Sequence, residues 1–329
     1  MNFRTLTSAL CLSLLCTSLA SAVPTWFPRG FRTANSSDPA ALRDYLAVER
    51  LDIADSIHRF GTVRVGALEI ACQTWIPSHA RGTVFLVHGY YNHTGTWSPH
   101  IRRFLSEGWA VASLDLPGHG LSDGARFDAD SMGTYTLALR ALEDSLGARA
   151  PKPWSLVGHS LGGLVVLDRA RAADYPYATT VLLAPMVRYT GWTWIGAVLP
   201  VVSSFKDYME RGRNLTSSGD SAFLRRLRAD TLEGWKTSTH WLKEVRRWGA
   251  LASTAKFAPS RWFLLQGDLD QTVDFRHDVD WIADRTGGLR VRIFKGARHH
   301  LHNEAGALGA LVQASLDSAI GGGLPLSRK

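Results

Sequence analysis

The chain has 329 residues, 45% of them hydrophobic and 20% charged, and a formal net charge of +8 from 37 Lys and Arg against 29 Asp and Glu. That length and apolar share allow one large α/β domain or two smaller ones with a sizeable core, and they exclude a disordered chain. No nucleic-acid-binding motif stands behind the basic excess, so nucleic acid is set aside as a partner.

The first residues, MNFRTLTSALCLSLLCTSLASAVP, pass from a short basic start through an apolar run to Ala20-Ser21-Ala22. This is the pattern of a cleavable secretory signal over residues 1–22, with the cut expected after Ala22. The run is short for a spanning helix, which makes an uncleaved anchor the lesser reading. A leucine precedes both Cys11 and Cys16, which speaks against a lipoprotein. Cleavage leaves Cys72 alone in the mature chain, so no internal disulfide can form and packing must supply the stability. Sequons stand at Asn35, Asn92 and Asn214. A glycan at Asn92 would obstruct the site argued below, which favours export in a bacterium, to the periplasm or beyond it, with membrane association as a further expectation.

The stretch GTVRVGALEIACQTWIP (61–77) reads as an antiparallel hairpin at the edge of a sheet. Beyond it, apolar β-rich runs alternate with helical patterns. The order is GTVFLVHGYY (82–91), a helix near Pro99 to Glu107, WAVASLDLPGHG (109–120), a helix near Ser131 to Leu146, WSLVGHS (154–160), a helix from Leu161, and TTVLLAPMV (179–187). Near the end come RWFLLQGD (261–268), a helix near Phe275 to Arg285, LRVRIFKGARHH (289–300) and a terminal helix after Asn303. Runs too apolar to have a wet face, taken in turn with helices, predict a mostly parallel central sheet with helices on both faces. Between Arg188 and Lys256 the alternation breaks and no strand-like run appears. The pattern there is helical, with Trp192, Trp194, Trp235, Trp241 and Trp248, and predicts a helical cap over 188–256 inserted between core parts 23–187 and 257–329. This span holds twelve Lys and Arg against six Asp and Glu, and so carries most of the basic excess. Arg225, Arg226, Arg228, Arg246 and Arg247 are most simply a solvated face, though a basic, apolar cap also favours approach to anionic lipid. Within it, GWTWIGAVLPVVSS (191–204) is apolar on nearly all sides and too short to span a bilayer, which suits a buried lid helix or one lying at a lipid surface.

Ser160 lies in Gly158-His159-Ser160-Leu161-Gly162, directly after a predicted strand and directly before a predicted helix. Glycines at that spacing arise by chance in roughly one chain in ten of this length; the strand-to-helix context is what points the hydroxyl out of the sheet on a sharp turn. The free N–H groups of the helix start there can bind a developing negative charge. A serine hydroxyl needs a base within hydrogen-bond reach and a third group to hold that base. Asp268 and Asp270 follow one later strand, and His299, His300 and His302 follow the next. In a parallel sheet these strand ends open on one edge, so the side chains converge on Ser160. Read blandly, His299, His300 and His302 form a metal set, but no matching carboxylate or cysteine cluster accompanies them. Neither a metal nor an organic cofactor is called for.

Taken together, HGYYNH (88–93), DLPGHGLSDG (115–124), GHSLGG (158–163), QGDLDQTV (266–273) and GARHHLHNE (296–304) resemble the α/β-hydrolases of the monoacylglycerol lipase and lysophospholipase group, which is often filed with serine aminopeptidase-like hydrolases. The resemblance implies Ser160 as nucleophile, Asp270 as triad acid with Asp268 the alternative, and His299 as base with His300 leaving a one-residue register question. It implies an oxyanion hole from the backbone N–H groups of Leu161 and Tyr90. His88, His119, His159, Asp115 and Ser122 take structural roles in this reading, and Trp192 and Trp194 are the cap's candidates for substrate binding. The activity implied is hydrolysis of a carboxylic ester of a monoacyl lipid through an acyl-enzyme. Small-ester, thioester or peptide N-terminus substrates are the runner-up, the last needing cap acids from Asp207, Glu210, Asp220, Asp230, Glu233 and Glu244. A non-catalytic scaffold binding lipid or protein is the reading of another class.

Overall fold

The computed structural model describes residues 32–33, 40–211, 216–322 and 327–328; the expected signal, Cys11, Cys16 and the sequons at Asn35 and Asn214 lie outside them. Strand β1 (Arg32–Thr33), helix α1 (Ala40–Val48), β2 (Ser56–Val65) and β3 (Leu68–Pro77) come first. There follow β4 (Thr83–Val87), α2 (Ser98–Ser106), β5 (Ala110–Leu114), α3 (Met132–Leu146), β6 (Trp154–His159), α4 (Leu161–Arg169) and β7 (Thr179–Leu183). The chain then leaves the sheet as α5 (Trp192–Val202), β8 (Tyr208–Glu210), α6 (Ser221–Ala229), β9 (Lys236–Ser238) and α7 (Thr239–Leu251). It returns with β10 (Arg261–Gly267), α8 (Phe275–Ala283), β11 (Arg290–Phe294), α9 (Gly306–Gly321) and β12 (Ser327–Arg328).

Among the described residues the main sheet has ten strands in the order β1-β2-β3-β5-β4-β6-β7-β10-β11-β12. The run from β5 to β11 is parallel, and the β2–β3 hairpin joins it antiparallel through β3 and β5. Its central strands are buried on both faces because successive side chains feed two different cores. Phe85 and Val87 point to the face that packs under α3 and α4, with Leu156, Leu182 and Leu264. Val84 and Leu86 point to the other, with Val157, Val181, Phe263 and Leu265, where α2 and α9 cover them. Burying each such side chain contributes roughly 1.5–3 kcal/mol, so this alternation holds the strand register without a disulfide. Cys72 is itself free and buried in the first core.

Two details differ from expectation. The hairpin begins at Ser56 and β1 pairs outside it, so β2 is not the edge strand. The inserted segment 188–256 contains a short antiparallel pair, Tyr208–Glu210 against Lys236–Ser238. Three-residue strands bury too little to leave an alternating pattern in the sequence. Two helices of the segment are stopped on polar side chains: Asp220 accepts from the N–H groups of Ala222 and Phe223 at the start of α6, and Ser238 from Trp241 at the start of α7. No helix among the described residues is long and apolar enough to cross a membrane.

Candidate active site

Ser160 sits at φ 53°, ψ −115°, a left-handed backbone that a side-chain-bearing residue rarely adopts. The chain around it enforces this turn. Ser160 N–H donates to the Leu183 carbonyl of the neighbouring strand (3.0 Å), and the Ser160 carbonyl accepts from Met186 N–H (3.1 Å). A Cβ at Gly158 would stand 2.4 Å from the Gly162 carbonyl oxygen, and one at Gly162 2.2 Å from that of Val87. Both flanking glycines are therefore required by the close pass of α4 over β4 and β6.

The Ser160 hydroxyl donates to His299 Nε2 (3.0 Å), and His299 Nδ1–H donates to Asp270 Oδ2 (2.8 Å). That tautomer leaves Nε2 with its lone pair facing the serine. Asp270 also accepts from Gln266 Nε2 (3.0 Å) and from the backbone N–H groups of Thr272 (2.8 Å) and Val273 (3.2 Å). Burial alone would raise its carboxyl, but the imidazole of His299 and these hydrogen bonds outweigh it and hold the group below the ordinary aspartate range. The three residues stand past the C-terminal ends of β6, β10 and β11. Leu161, the first residue of α4, and Tyr90, in the loop after β4, have backbone N–H groups that donate to no carbonyl among the described residues.

The neighbours of this line have other partners. Asp268 accepts from Gly296 N–H (2.7 Å) and fixes the turn before His299. His300 turns away from Ser160, and its Nε2–H donates to Asn92 Oδ1 (3.2 Å). His302 stacks on Trp97 at 4.7 Å. His159 Nε2–H donates to the His299 carbonyl (3.1 Å), which steadies the loop that carries it. His88 joins two loops, donating from Nδ1 to the Gly89 carbonyl (2.8 Å) and accepting at Nε2 from Leu116 N–H (2.9 Å); burial lowers its pKa to about 3 and keeps it neutral. His119 donates to the Pro117 carbonyl (2.8 Å), Asp115 accepts from Thr94 and Leu121 N–H (both 2.8 Å), and Ser122 donates to the Asp115 carbonyl (2.6 Å).

Above Ser160 lies a cavity of about 210 Å³ lined by Tyr90, Tyr91, Asn92, Tyr189, Arg211, Ser217, Thr272, His299 and His300, among others. Neither Trp192 nor Trp194 lines it. Trp192 packs near Tyr189 beneath Arg246, and Trp194 is 77% exposed. The joint between core and inserted segment rests on contacts that the sequence does not mark, and Arg211 is a member of it that sequence reasoning passed over. Tyr90 stacks on Trp241 (3.7 Å), its hydroxyl donates to the Phe127 carbonyl, and it accepts from Ser238 N–H (3.0 Å). Asn92, singled out as a sequon, is buried, and its Nδ2 donates to Glu233 Oε2 (2.9 Å), so the folded chain leaves no room for a glycan there. Glu233 in turn holds Arg211 (2.8 Å); burial dominates its titration and raises it to about 7. His93 Nε2–H donates to Asp230 Oδ2 (2.7 Å), a second link between the loop after β4 and the inserted segment. Arg225, Arg228, Arg246 and Arg247 are exposed and Arg226 is half-buried, so the basic face is largely solvated.

Residues 78–306 match the family described as serine aminopeptidase, S33. The chain belongs to this family. A monoacylglycerol lipase of Mycolicibacterium smegmatis is 35% identical over 127 residues, 37% of this chain and 45% of that protein. A monoglyceride lipase homolog of monkeypox virus is 24% identical over 76% of this chain and 94% of its own length. The chain thus spans less than half of the bacterial relative and nearly all of the viral one. A soluble variant of monoglyceride lipase from Saccharomyces cerevisiae, solved with a substrate analog, superposes with a TM-score of 0.70 at 16% identity, covering 83% of this chain and 98% of that one. These matches establish the α/β-hydrolase fold for this S33-family chain.

Proposed function

We propose that the chain is a serine hydrolase that cleaves carboxylic esters of monoacyl lipids through an acyl-enzyme. The observation that carries the reading is the hydrogen-bonded line Asp270–His299–Ser160, which opens on a cavity at the sheet's C-terminal edge. His299 takes the Ser160 proton as Oγ attacks the ester carbonyl, and the oxyanion settles between the Leu161 and Tyr90 N–H groups. Each such donor is worth about 3 kcal/mol of barrier lowering. His299 then protonates the leaving alcohol, and a water activated by the same imidazole releases the fatty acid. Asp270 keeps the imidazole in the tautomer that can accept the proton.

The family's description names an aminopeptidase, and the cavity's charge favours the ester instead. None of the residues lining it is acidic, and one is Arg211. Asp230 and Glu233 are occupied by His93 and Arg211, Asp220 caps α6, and Asp207 and Glu210 are exposed. A panel of monoacylglycerols, lysophospholipids, short p-nitrophenyl esters and aminoacyl amides, run beside Ser160→Ala, tests the reading. Lipid-ester turnover that vanishes in the variant is the expected result, and turnover confined to the amides overturns it.

Two further readings go with this one. Of the residues in α5 only Leu199 is buried, and Trp194, Val198, Val201 and, just beyond, Phe205 are exposed; with Lys206, Lys243, Arg246 and Arg247 close in sequence or space, this face suits peripheral contact with an anionic lipid surface. The N-terminal sequence supports export with a mature chain starting at Val23. N-terminal sequencing of protein recovered from the producing cells reads this directly, and an intact Met1 would contradict it.

A further inference from the structure

Three polar groups on one wall of the cavity have no use in the steps above. Arg211, directly after β8, donates from Nη1 to Glu233 Oε1 (2.8 Å) and the Gly234 carbonyl (3.1 Å), and its guanidinium lies 3.9 Å over the Tyr91 ring. These contacts fix the plane of the group while its Nε–Nη2 edge donates to nothing among the described residues. That edge is the two-donor fork that matches a carboxylate or phosphate. The second group is His300. Because Asn92 Nδ2 faces and donates to Glu233, the atom facing His300 is Oδ1, which can only accept; His300 Nε2 therefore carries the hydrogen and Nδ1 a lone pair. His300 is 4% exposed, and Nδ1 is buried without a partner. The third is the Ser217 hydroxyl, also buried and unpartnered, on the residue whose carbonyl accepts from His300 N–H (2.7 Å). Leaving the buried His300 Nδ1 and Ser217 Oγ unmatched carries a desolvation cost, so an occupant that satisfies them is favoured. An acyl chain satisfies none of them.

We propose that this wall binds the alcohol part of the substrate, and that the preferred substrate is a monoacyl ester of a small polyol bearing both a free hydroxyl and an anionic phosphate or carboxylate. The hydroxyl donates to His300 Nδ1 and meets Ser217 Oγ, while the anionic oxygens take the Nε–Nη2 edge of Arg211. The inference rests on the ester-hydrolase reading and names its substrate class; Arg211 is a specificity residue in it, and the reacting atoms are untouched.

The test compares purified full-length protein on lauroylglycerol, lauroylglycerol phosphate and lauroylglycerate, with glycerol, glycerol phosphate and glycerate as product inhibitors. The expected result is a kcat/KM at least tenfold higher on one of the anionic esters than on the neutral one, and inhibition by the corresponding anionic alcohol at far lower concentration than by glycerol. Whether phosphate or carboxylate gives the larger effect identifies the source of the charge. Arg211→Gln is expected to bring the anionic-to-neutral ratio close to one, chiefly through KM, with Arg211→Lys intermediate because it keeps the charge and loses the fork. Since Arg211→Gln leaves Glu233 buried without its cation, the Arg211→Gln/Glu233→Gln pair is measured as well, and the inhibition constants of the unmodified protein need no variant at all. A ratio near one in the unmodified protein, or an equal loss on neutral and anionic esters in both variants, overturns the inference. If Ser160→Ala is inactive while the ratio is one, only the substrate class falls; if Ser160→Ala still turns the esters over, the ester-hydrolase reading falls with it.

Discussion

Glu233, buried behind the cavity-lining residues Arg211 and Asn92, shows how a single residue ties charge to stability. Its carboxyl is fully buried between Arg211 and Asn92, and burial raises its pKa from 4.5 to about 7 despite both partners. In the unfolded chain the same group titrates near its ordinary value. Between about pH 4.5 and 7 the folded protein therefore holds a proton that the unfolded chain has released, and stability falls as pH rises through that window. A shift of this size is worth ~3 kcal/mol. Glu233→Gln stays neutral throughout, so the unmodified protein should lose about that much stability relative to the variant between pH 4.5 and 7, as read by urea unfolding at several pH values. A constant difference across the window would show that Glu233 does not titrate there. Asp270 behaves in the opposite sense, since its lowered pKa stabilises the fold above the ordinary aspartate range and is lost only in acid.

At the scale of elements, α5 is the outlier. An apolar helix in a globular chain ordinarily buries its face, yet Trp194 is 77% and Phe205 83% exposed. The proposed contact with a lipid surface would account for this, with the basic side chains nearby supplying attraction to anionic headgroups. Trp194→Asp/Phe205→Asp is expected to weaken sedimentation with phosphatidylglycerol vesicles by about tenfold while hydrolysis of a soluble p-nitrophenyl ester persists. Undiminished vesicle binding in that variant would remove α5 from the interface. The elements of the core were legible because each carries a strong local signal. The strands from β4 to β7 and β10 are short, largely apolar runs, and the strand-to-helix turn at Ser160 is marked by Gly158 and Gly162. The pair β8–β9 left no such signal, since three residues with mixed burial look the same in a strand and a loop.

Over the whole molecule, what could be read from the sequence divides along the line between core and inserted segment. Ser160, Asp270 and His299 lie more than a hundred residues apart at the extremes, yet each follows a recognisable strand, and the parallel sheet brings those strand ends to one edge. The choice between His299 and His300 is made only in three dimensions, where His299 reaches Ser160 and His300 is held by Asn92. The cavity wall was hidden for the same reason. Arg211 and Ser217, with Glu233 behind Arg211, belong to a segment with no repeating pattern, and their partners Asn92 and His300 come from loops on the core, so nothing local marks them as a set. The account rests most directly on whether Ser160 is an activated nucleophile. Labelling of folded protein by a fluorophosphonate probe, followed by intact mass and peptide mapping, measures this. Stoichiometric adduct at Ser160 is expected, absent in Ser160→Ala and slower by ~10³–10⁴ in Asp270→Asn, where the imidazole loses its working tautomer. Failure of the folded, unmodified protein to react at Ser160 would contradict the account.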